Sequence, residues 1–205
     1  MTPKQERAVR TRERLVASAA EAFDRHGFTA ASLTAISRSA GVSNGALHFH
    51  FESKEALAVA VEAAAAARVG ALAEVAAGSE GPAIQALVDA SHRLVRLLRE
   101  DVVVRAGFRL GGDLSASVVD SLPLLWHRGV VGLLDKARRE GALTAGVSPG
   151  DAAAAVVAVV VGCDVLARTD EEWLSSGVLA GFWRLLLPRL AAGPVESGQL
   201  TCGAA

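Results

Sequence analysis

The sequence predicts an all-α fold, and three of its features favour helices over strands. Apolar residues make up 51% of the 205 residues, aromatic residues only 4%, and tyrosine is absent. A core must therefore be built from Ala, Val and Leu. Apolar residues also recur every three to four positions, as Leu15, Ala19 and Phe23 do in the first helix, and no segment alternates apolar and polar residues between turn signals. We expect about nine helices and no sheet.

Turn and cap residues divide the N-terminal part into four helices. Pro3 suits the first position of a helix, and Gly27 is predicted to end that helix in a left-handed conformation. Gly41 forms the corner between the next two helices. Thr34, Ser43 and Ser53 are predicted to cap the second, third and fourth helices. The four helices are expected over residues 3–26, 34–40, 43–50 and 53–77.

Glycine and proline divide the remainder in the same way. The segment Gly78-Ser79-Glu80-Gly81-Pro82 is the clearest break after the long helix. Further helices are expected over residues 82–99, 101–110, 122–140, 149–168 and 171–190. Three regions follow: residues 1–52 as a small N-terminal domain, 53–192 as a larger helical domain, and 193–205 as a flexible tail.

The charge is unevenly distributed along a nearly neutral chain. There are 21 Lys and Arg against 22 Asp and Glu, and the net charge is −1. Residues 1–14, however, carry five basic and two acidic side chains, a balance of 5 − 2 = +3. This pattern indicates either a polyanion bound at one end of the protein or a solvated helix face.

Residues 33–51 predict a helix-turn-helix. The apolar residues of the two short helices fall where these helices pack on each other and on the first helix. A second helix with a small, polar N-terminus fits the major groove, and its amides suit phosphate oxygens. The residues predicted on the outer side are Ser37, Arg38, Ser43, Asn44, Gly45, Ala46, His48 and His50.

Enzyme, metal and export motifs are missing from the sequence. It contains no GxGxxG, P-loop, HExxH or CxxC motif, and His48 and His50 point to different faces of one helix. The apolar run Ala152–Cys163 is too short to span a bilayer. Cys163 and Cys202 are interpreted as ordinary reduced thiols. We expect a cytoplasmic protein that is not an enzyme and uses no cofactor or metal.

The helix-turn-helix segment also resembles a known family. The run SLTAISRSAGVSNGALHFHFESKEAL is similar to the N-terminal domain of TetR-family transcriptional regulators. Within that family it resembles the gamma-butyrolactone receptors of filamentous actinobacteria. The resemblance is strong over residues 5–60. In the body it rests on two patches, Arg105–Leu110 and Leu124–His127.

Two positions depart from the family pattern GVTKGALYFHF. Asn44 stands where the family usually has lysine, and His48 stands where it usually has tyrosine. Asparagine can bond a base edge, adenine best, but supplies no charge. We therefore expect an operator that differs in sequence from those of relatives or is bound more weakly.

The resemblance implies three groups of DNA contacts. Positions expected to face the major groove are Ser43, Asn44, Gly45, Ala46 and His48. Positions expected beside phosphates are Thr34, Phe49 and Lys54, and those near the backbone or a minor groove are Arg7, Arg10 and Arg12. From the residues alone, Phe49 equally fits core packing, as we expect for Phe51. Lys54 equally fits an ion pair within its own helix.

The resemblance also implies a cavity for a small apolar ligand in the larger domain. Trp126 stands at the position of a lining tryptophan, although its apolar neighbours equally fit a plain core. Further lining residues are expected at Phe108, Leu110, Val161 and Val165. Arg105 and Arg109 share a helix face and suit either a ligand or, preferably, a carboxylate on another helix.

These features together predict a homodimeric repressor released from DNA by a small signal. Relatives pair their last two long helices across a two-fold axis, although a monomeric core helix is the simpler interpretation. The expected partners are double-stranded operator DNA, a small apolar ligand and a second subunit, with no membrane. The alternative is a pseudo-receptor of the same fold that answers to an antibiotic or intermediate. A small helical enzyme or ligand carrier is a distant alternative.

Overall fold

The computed structural model describes residues 2–113 and 121–193, apart from the side chains of Lys4, Gly112 and Asp113. The α-helices in this part of the chain are α1 (Pro3–Ala30), α2 (Leu33–Ser39), α3 (Asn44–His50), α4 (Lys54–Ala77), α5 (Ala83–Glu100), α6 (Val102–Asp113), α7 (Leu122–Arg139), α8 (Pro149–Ala167) and α9 (Ser176–Leu190). A short 3₁₀ helix occupies Glu171–Leu174. An isolated bridge joins Leu143 to Ala191, and the described residues form no strand. The prediction of an all-α fold is confirmed.

The chain forms two compact units that do not coincide with a simple division of the sequence. The N-terminal unit comprises Met1–Arg68 and Asp101–Leu122, and the C-terminal unit comprises Val69–Glu100 and Pro123–Ala205. Helix α6 therefore packs with the helix-turn-helix segment. The functional boundary after residue 52 stays a prediction, and residues 194–205, which form most of the predicted tail, lie outside the described residues.

The core of the helix-turn-helix segment consists of the apolar positions that the periodicity predicts. Leu15, Phe23, Ile36 and Leu47 are all buried. Each comes from α1, α2 or α3, so the three helices share one small core. Gly41 turns the chain between α2 and α3 with a φ of 64°, a conformation that favours glycine.

An ion cluster joins α6 to α1 inside the N-terminal unit. The Asp24 carboxylate accepts a hydrogen bond from Arg105 Nε at 3.0 Å and lies 2.7 Å from Arg109 Nη1. Arg109 also donates to the main-chain carbonyl of Asp24. The three side chains are at most 23% exposed. The prediction that these arginines bind a carboxylate on another helix is confirmed.

Helix α6 also approaches α4 closely at Gly107. A Cβ at this position would lie 2.5 Å from Ala65 Cβ and 2.7 Å from Leu122 Cδ1. These distances are too short for any side chain, so the glycine permits the contact. Asp101 caps α6 by accepting from the amides of Val103 and Val104.

In the C-terminal unit, charged side chains at the end of α7 and just after it hold the start of α5 and the segment before it. Glu140 Oε2 accepts from the amide of Ala83 at 3.0 Å, which places a negative charge at the positive end of α5. Lys136 Nζ donates to the carbonyl of Ser79 at 2.7 Å. Helices α8 and α9 and the 3₁₀ helix complete the unit, and α5 contacts all three.

Several helix ends differ from their predictions, and α6 continues to Asp113 instead of ending at residue 110. Gly27 has a φ of 75° but a ψ of 165°, so it interrupts α1 without the left-handed cap, and one more turn follows. Ser32, rather than Thr34, occupies the N-cap of α2. The predicted helix over 171–190 is divided, because Ser175 has extended backbone angles between the 3₁₀ helix and α9. Ser175, Ser176 and Gly177 have low helix propensity, so they favour a break at this point.

Helices α4 and α8 are long and apolar enough, by length and composition, to cross a membrane. The run Ala152–Cys163, which by itself is too short to span a bilayer, is thus part of a longer apolar helix, Pro149–Ala167. A core helix of a soluble protein passes the same test. In the most apolar stretches of α4 and α8, 39% and 33% of the residues are buried within one chain. Both helices thus keep apolar surface that the chain itself leaves uncovered.

A buried acid lies in the N-terminal part of α4. Glu62 is only 4% exposed, and its Oε2 atom has no hydrogen-bond partner. Burial raises the pKa of this carboxyl above its ordinary value. The folded protein therefore holds the proton more tightly than the unfolded chain, and stability decreases as the pH rises from the unfolded pKa through the folded pKa.

Glu62→Gln is expected to remove this pH dependence, because glutamine does not titrate. Urea unfolding at pH 4 and pH 8 measures the effect. The free energy of unfolding of the variant, minus that of wild type, should be larger at pH 8 than at pH 4. The control is Glu74→Gln, at an exposed position of the same helix. An equal difference at both pH values would contradict the assignment.

Candidate DNA interface and effector site

The N-terminal end of α3 presents small and polar residues to solvent. Ser43 caps the helix, and its Oγ accepts from the amide of Ala46 at 3.1 Å. Ser43, Asn44, Gly45 and His48 are exposed, whereas Ala46 is half-buried. This edge is small enough to enter a DNA groove.

The Asn44 amide is held from α2. Its Oδ1 accepts from Ser37 Oγ at 2.8 Å, and its Nδ2 donates to Thr34 Oγ1 at 3.4 Å. Ser37 is 4% exposed, so the prediction that it lies on the outer side is wrong. The periodicity of α2 missed it because a small serine fits between two helices when it finds polar partners there.

The two phenylalanines of the HFHF segment have opposite environments. Phe51 is 5% exposed, as predicted, whereas Phe49 is 82% exposed and contacts only the edge of His50 among the described aromatic rings. Core packing is therefore excluded for Phe49. The Arg12 guanidinium lies 5.3 Å from the centre of the Phe51 ring, where a cation–π contact orients it.

Basic side chains line the first turns of α1. Arg7 and Arg10 are exposed and border a groove of about 310 Å³ together with Thr11 and Arg14. Arg14 donates to the carbonyls of Ala40 and Gly41, so it anchors the turn of the helix-turn-helix. Sequence reasoning missed this role, since charge counting does not distinguish an anchor from a free cation.

Lys54 has an internal role that the sequence left open. Its Nζ donates to the carbonyls of Thr29 and Ala31, at 3.0 and 3.2 Å, and lies 4.7 Å from the centre of the Phe28 ring. Lys54 thus places its positive charge at the C-terminal end of α1, where the helix dipole is negative, and not in an ion pair within its own helix. The Lys54 side chain is half-buried, and the residue follows shortly after α3 in the sequence.

The residues predicted to bind an effector differ in their exposure. In the N-terminal unit, Phe108 and Leu110 are buried on α6. In the C-terminal unit, Trp126 is fully buried, Val161 is half-buried, and Val165 is 49% exposed. The Trp126 indole N–H is buried without a hydrogen-bond partner. A buried N–H of this kind costs free energy unless something else accepts from it.

Apolar side chains are uncovered on α8 and α9 in the C-terminal unit. Val165 and Leu166 are 49% and 45% exposed, Leu185 is 82% exposed, and Gly162 has open space beside it. Trp183 on α9, in contrast, is fully buried. Large apolar side chains exposed on two helices of one unit suit a surface that another molecule covers.

Metal-ligating side chains do not cluster in the part of the chain that the structure describes. No group of three or more His, Cys, Asp or Glu side chains there could hold a metal ion. Cys163 is buried, and burial raises the pKa of its thiol, so the thiolate is disfavoured. Cys202 lies outside the described residues.

Comparisons with known proteins relate both parts of the chain to regulators. Residues 15–61 match the family model described as bacterial regulatory proteins, tetR family. The A-factor receptor protein of Streptomyces griseus is 32% identical over 192 residues. That match covers 92% of this chain and 66% of the receptor, just under two thirds of its length.

Solved structures of related regulators share the fold. A gamma-butyrolactone receptor, an ArpA-like protein, superposes with a TM-score of 0.81 at 28% identity, covering 91% of this chain and 90% of that one. CprB of Streptomyces coelicolor, a TetR family protein solved with its operator sequence, superposes with a TM-score of 0.75 at 31% identity. The coverage is 92% of this chain and 91% of CprB.

Proposed function

Because the chain belongs to the tetR family of bacterial regulatory proteins, we propose that it is a ligand-responsive repressor that binds a palindromic operator as a homodimer. It is related to the gamma-butyrolactone receptors. A small signalling molecule such as a gamma-butyrolactone releases it from DNA, and its targets are genes of secondary metabolism. The protein acts in the cytoplasm and catalyses no reaction.

The exposed N-terminal edge of α3 is the observation that carries the proposal. Ser43, Asn44, Gly45, Ala46 and His48 meet the major groove, with the capped end of the helix pointing toward the DNA. Phe49 is 82% exposed, which leaves its ring available to pack against the sugars of the DNA backbone. Thr34 contacts the neighbouring phosphate.

Basic side chains complete the interface. Arg7 and Arg10 are exposed on α1 and contact the DNA backbone or the neighbouring minor groove. Arg12 joins them from its position above Phe51. Lys54 adds positive charge near a phosphate while it caps α1. These cations explain how a chain with a net charge of −1 binds a polyanion.

Trp126 is the centre of the proposed effector site. Its buried indole N–H needs an acceptor, and an ester or hydroxyl oxygen of a small apolar ligand provides one. Val161 and Val165 supply apolar surface in the same unit. The effector lowers operator affinity by binding more tightly to the state that does not fit DNA.

The uncovered apolar side chains of α8 and α9 support the homodimer. Pairing of Leu166 and Leu185 with their copies removes them from water, and Gly162 allows a close approach of two backbones. A two-fold axis places the two α3 helices one helical turn of DNA apart, about 34–36 Å. A palindromic operator follows from that symmetry.

The test of DNA binding is a salt titration of operator affinity. Each phosphate contact contributes about −0.9 to the slope of log affinity against log salt concentration. Arg7→Gln combined with Arg10→Gln removes four contacts from a dimer, so the slope should become shallower by about 3.6. Fluorescence anisotropy at several salt concentrations measures the slope.

The matched control carries the same two changes on α5, at the exposed positions Arg93 and Arg96. This variant should keep the wild-type slope. An equal change of slope in both variants would indicate a general charge effect and contradict the interface. Affinity without salt dependence, or affinity equal for all sequences, would contradict operator recognition itself.

The second proposal is a pseudo-receptor of the same fold. It is favoured by the exposed Asn44 and His48, which depart from the family pattern and indicate a diverged chain. Its effector would be an antibiotic or a biosynthetic intermediate. Release of the operator by a purified gamma-butyrolactone distinguishes the two proposals, because only the receptor responds to it.

A further inference from the structure

At the junction of α2 and α3, the buried side chain of Ser37 contacts the exposed side chain of Asn44. We propose that Ser37 is a positioning residue for operator recognition, which holds the Asn44 amide ready to read an adenine base. The proposal rests on the proposed DNA binding and names the side chain and base type on which sequence preference depends. Its evidence is the 2.8 Å contact between the two side chains.

The free hydrogen-bonding positions of Asn44 match adenine. A primary amide has two hydrogens on Nδ2 and two lone pairs on Oδ1. Contacts with Thr34 and Ser37 use one of each, which leaves one donor and one acceptor on an exposed side chain. In the major groove, adenine offers one acceptor, N7, and one donor, the N6 amino group.

Ser37 can hold Asn44 without depending on it. The hydroxyl has one hydrogen, and two acceptors are within reach: Asn44 Oδ1 at 2.8 Å and the Thr34 carbonyl at 3.1 Å. If Asn44 is removed, the hydroxyl still has the carbonyl, so no buried polar group is orphaned. Asn44→Ala should therefore leave the fold intact.

Without Ser37, Asn44 retains only the 3.4 Å contact with Thr34. An exposed asparagine then samples several rotamers and loses that freedom when it binds DNA. Fixing one side chain in advance is worth about a threefold to tenfold change in affinity. Because the loss concerns one amide, it should affect preference at one base pair in each half-site.

The experiment measures base preference in four full-length proteins: wild type, Ser37→Ala, Asn44→Ala and the double variant. An operator is selected from random duplexes with the wild type, and each of its base pairs is then changed in turn. Asn44→Ala should remove a preference of about five- to 150-fold at one A·T pair. Ser37→Ala should weaken preference at that same pair by about three- to tenfold, and the double variant should behave as Asn44→Ala.

Ser39→Ala is the matched control, since Ser39 is exposed on the same short helix. It should keep the wild-type preference at every position. If Ser37→Ala weakens binding equally on all duplexes, or if its effect adds fully to that of Asn44→Ala, the positioning role is wrong. Unchanged preference in Ser37→Ala also overturns it. A wild type with no sequence preference would instead overturn the proposed function.

Discussion

Replacing Asp24 with alanine is expected to lower the free energy of unfolding by about 3 kcal/mol. The substitution leaves Arg105 and Arg109 one turn apart on α6 without the carboxylate that both contact. Two partly buried guanidinium groups then repel each other and lose charge-assisted hydrogen bonds. Urea unfolding at fixed protein concentration measures the loss.

An exposed ion pair provides the matched control. Asp135 contacts Arg138 at 3.1 Å on α7, with side chains 36% and 64% exposed. Solvent screens such a pair, so Asp135→Ala should cost less than about 0.5 kcal/mol. Equal losses in the two variants would mean that the Asp24 cluster is no stronger than a surface pair.

The same substitution should affect regulation, because α6 carries both the ion cluster and predicted effector residues. Arg105 and Arg109 fasten α6 to α1, and Phe108 and Leu110 lie on that helix. Loosening α6 should reduce the coupling between effector and operator more than it reduces either affinity alone. Operator titrations with and without effector, at a temperature where the variant is folded, measure this coupling.

The sequence predicted the fold well because local signals specify most of it. Helical periodicity located the buried residues of α1, and the residues Ser43 and Gly41 correctly marked the helix-turn-helix. Errors fell where competing local signals are weak. At 175–177 an apolar pattern continued through serine and glycine, and only the three-dimensional structure decided that the helix stops there.

The site was predicted less completely, since its decisive contacts join distant residues. Asp24 and Arg105 are 81 positions apart, so no local pattern could pair them. Arg14 was counted as one charge among several, although it holds the turn at Ala40. The environment of Phe49 was undecided because a phenylalanine signals core and interface equally, and only its exposure distinguishes them.

Two substitutions of Trp126 are expected to separate packing from effector recognition. Trp126→Ala removes a fully buried ring and should lower the free energy of unfolding by about 3–5 kcal/mol. Trp126→Phe keeps much of the ring volume and eliminates an orphaned N–H, so its stability should change little. Its affinity for a gamma-butyrolactone effector should nevertheless fall about tenfold, because the donor is gone.

Trp183→Phe is the control that makes this result specific. Trp183 is also fully buried in the C-terminal unit, and its indole N–H also lacks a hydrogen-bond partner. Two measurements compare the variants: calorimetric titration with the effector, and operator binding by fluorescence anisotropy. Trp183→Phe should behave as wild type in both. Trp126→Phe should keep operator binding but release the operator only at higher effector concentrations. If the two variants behave alike, the Trp126 N–H contacts no effector and the ring is an ordinary part of the core.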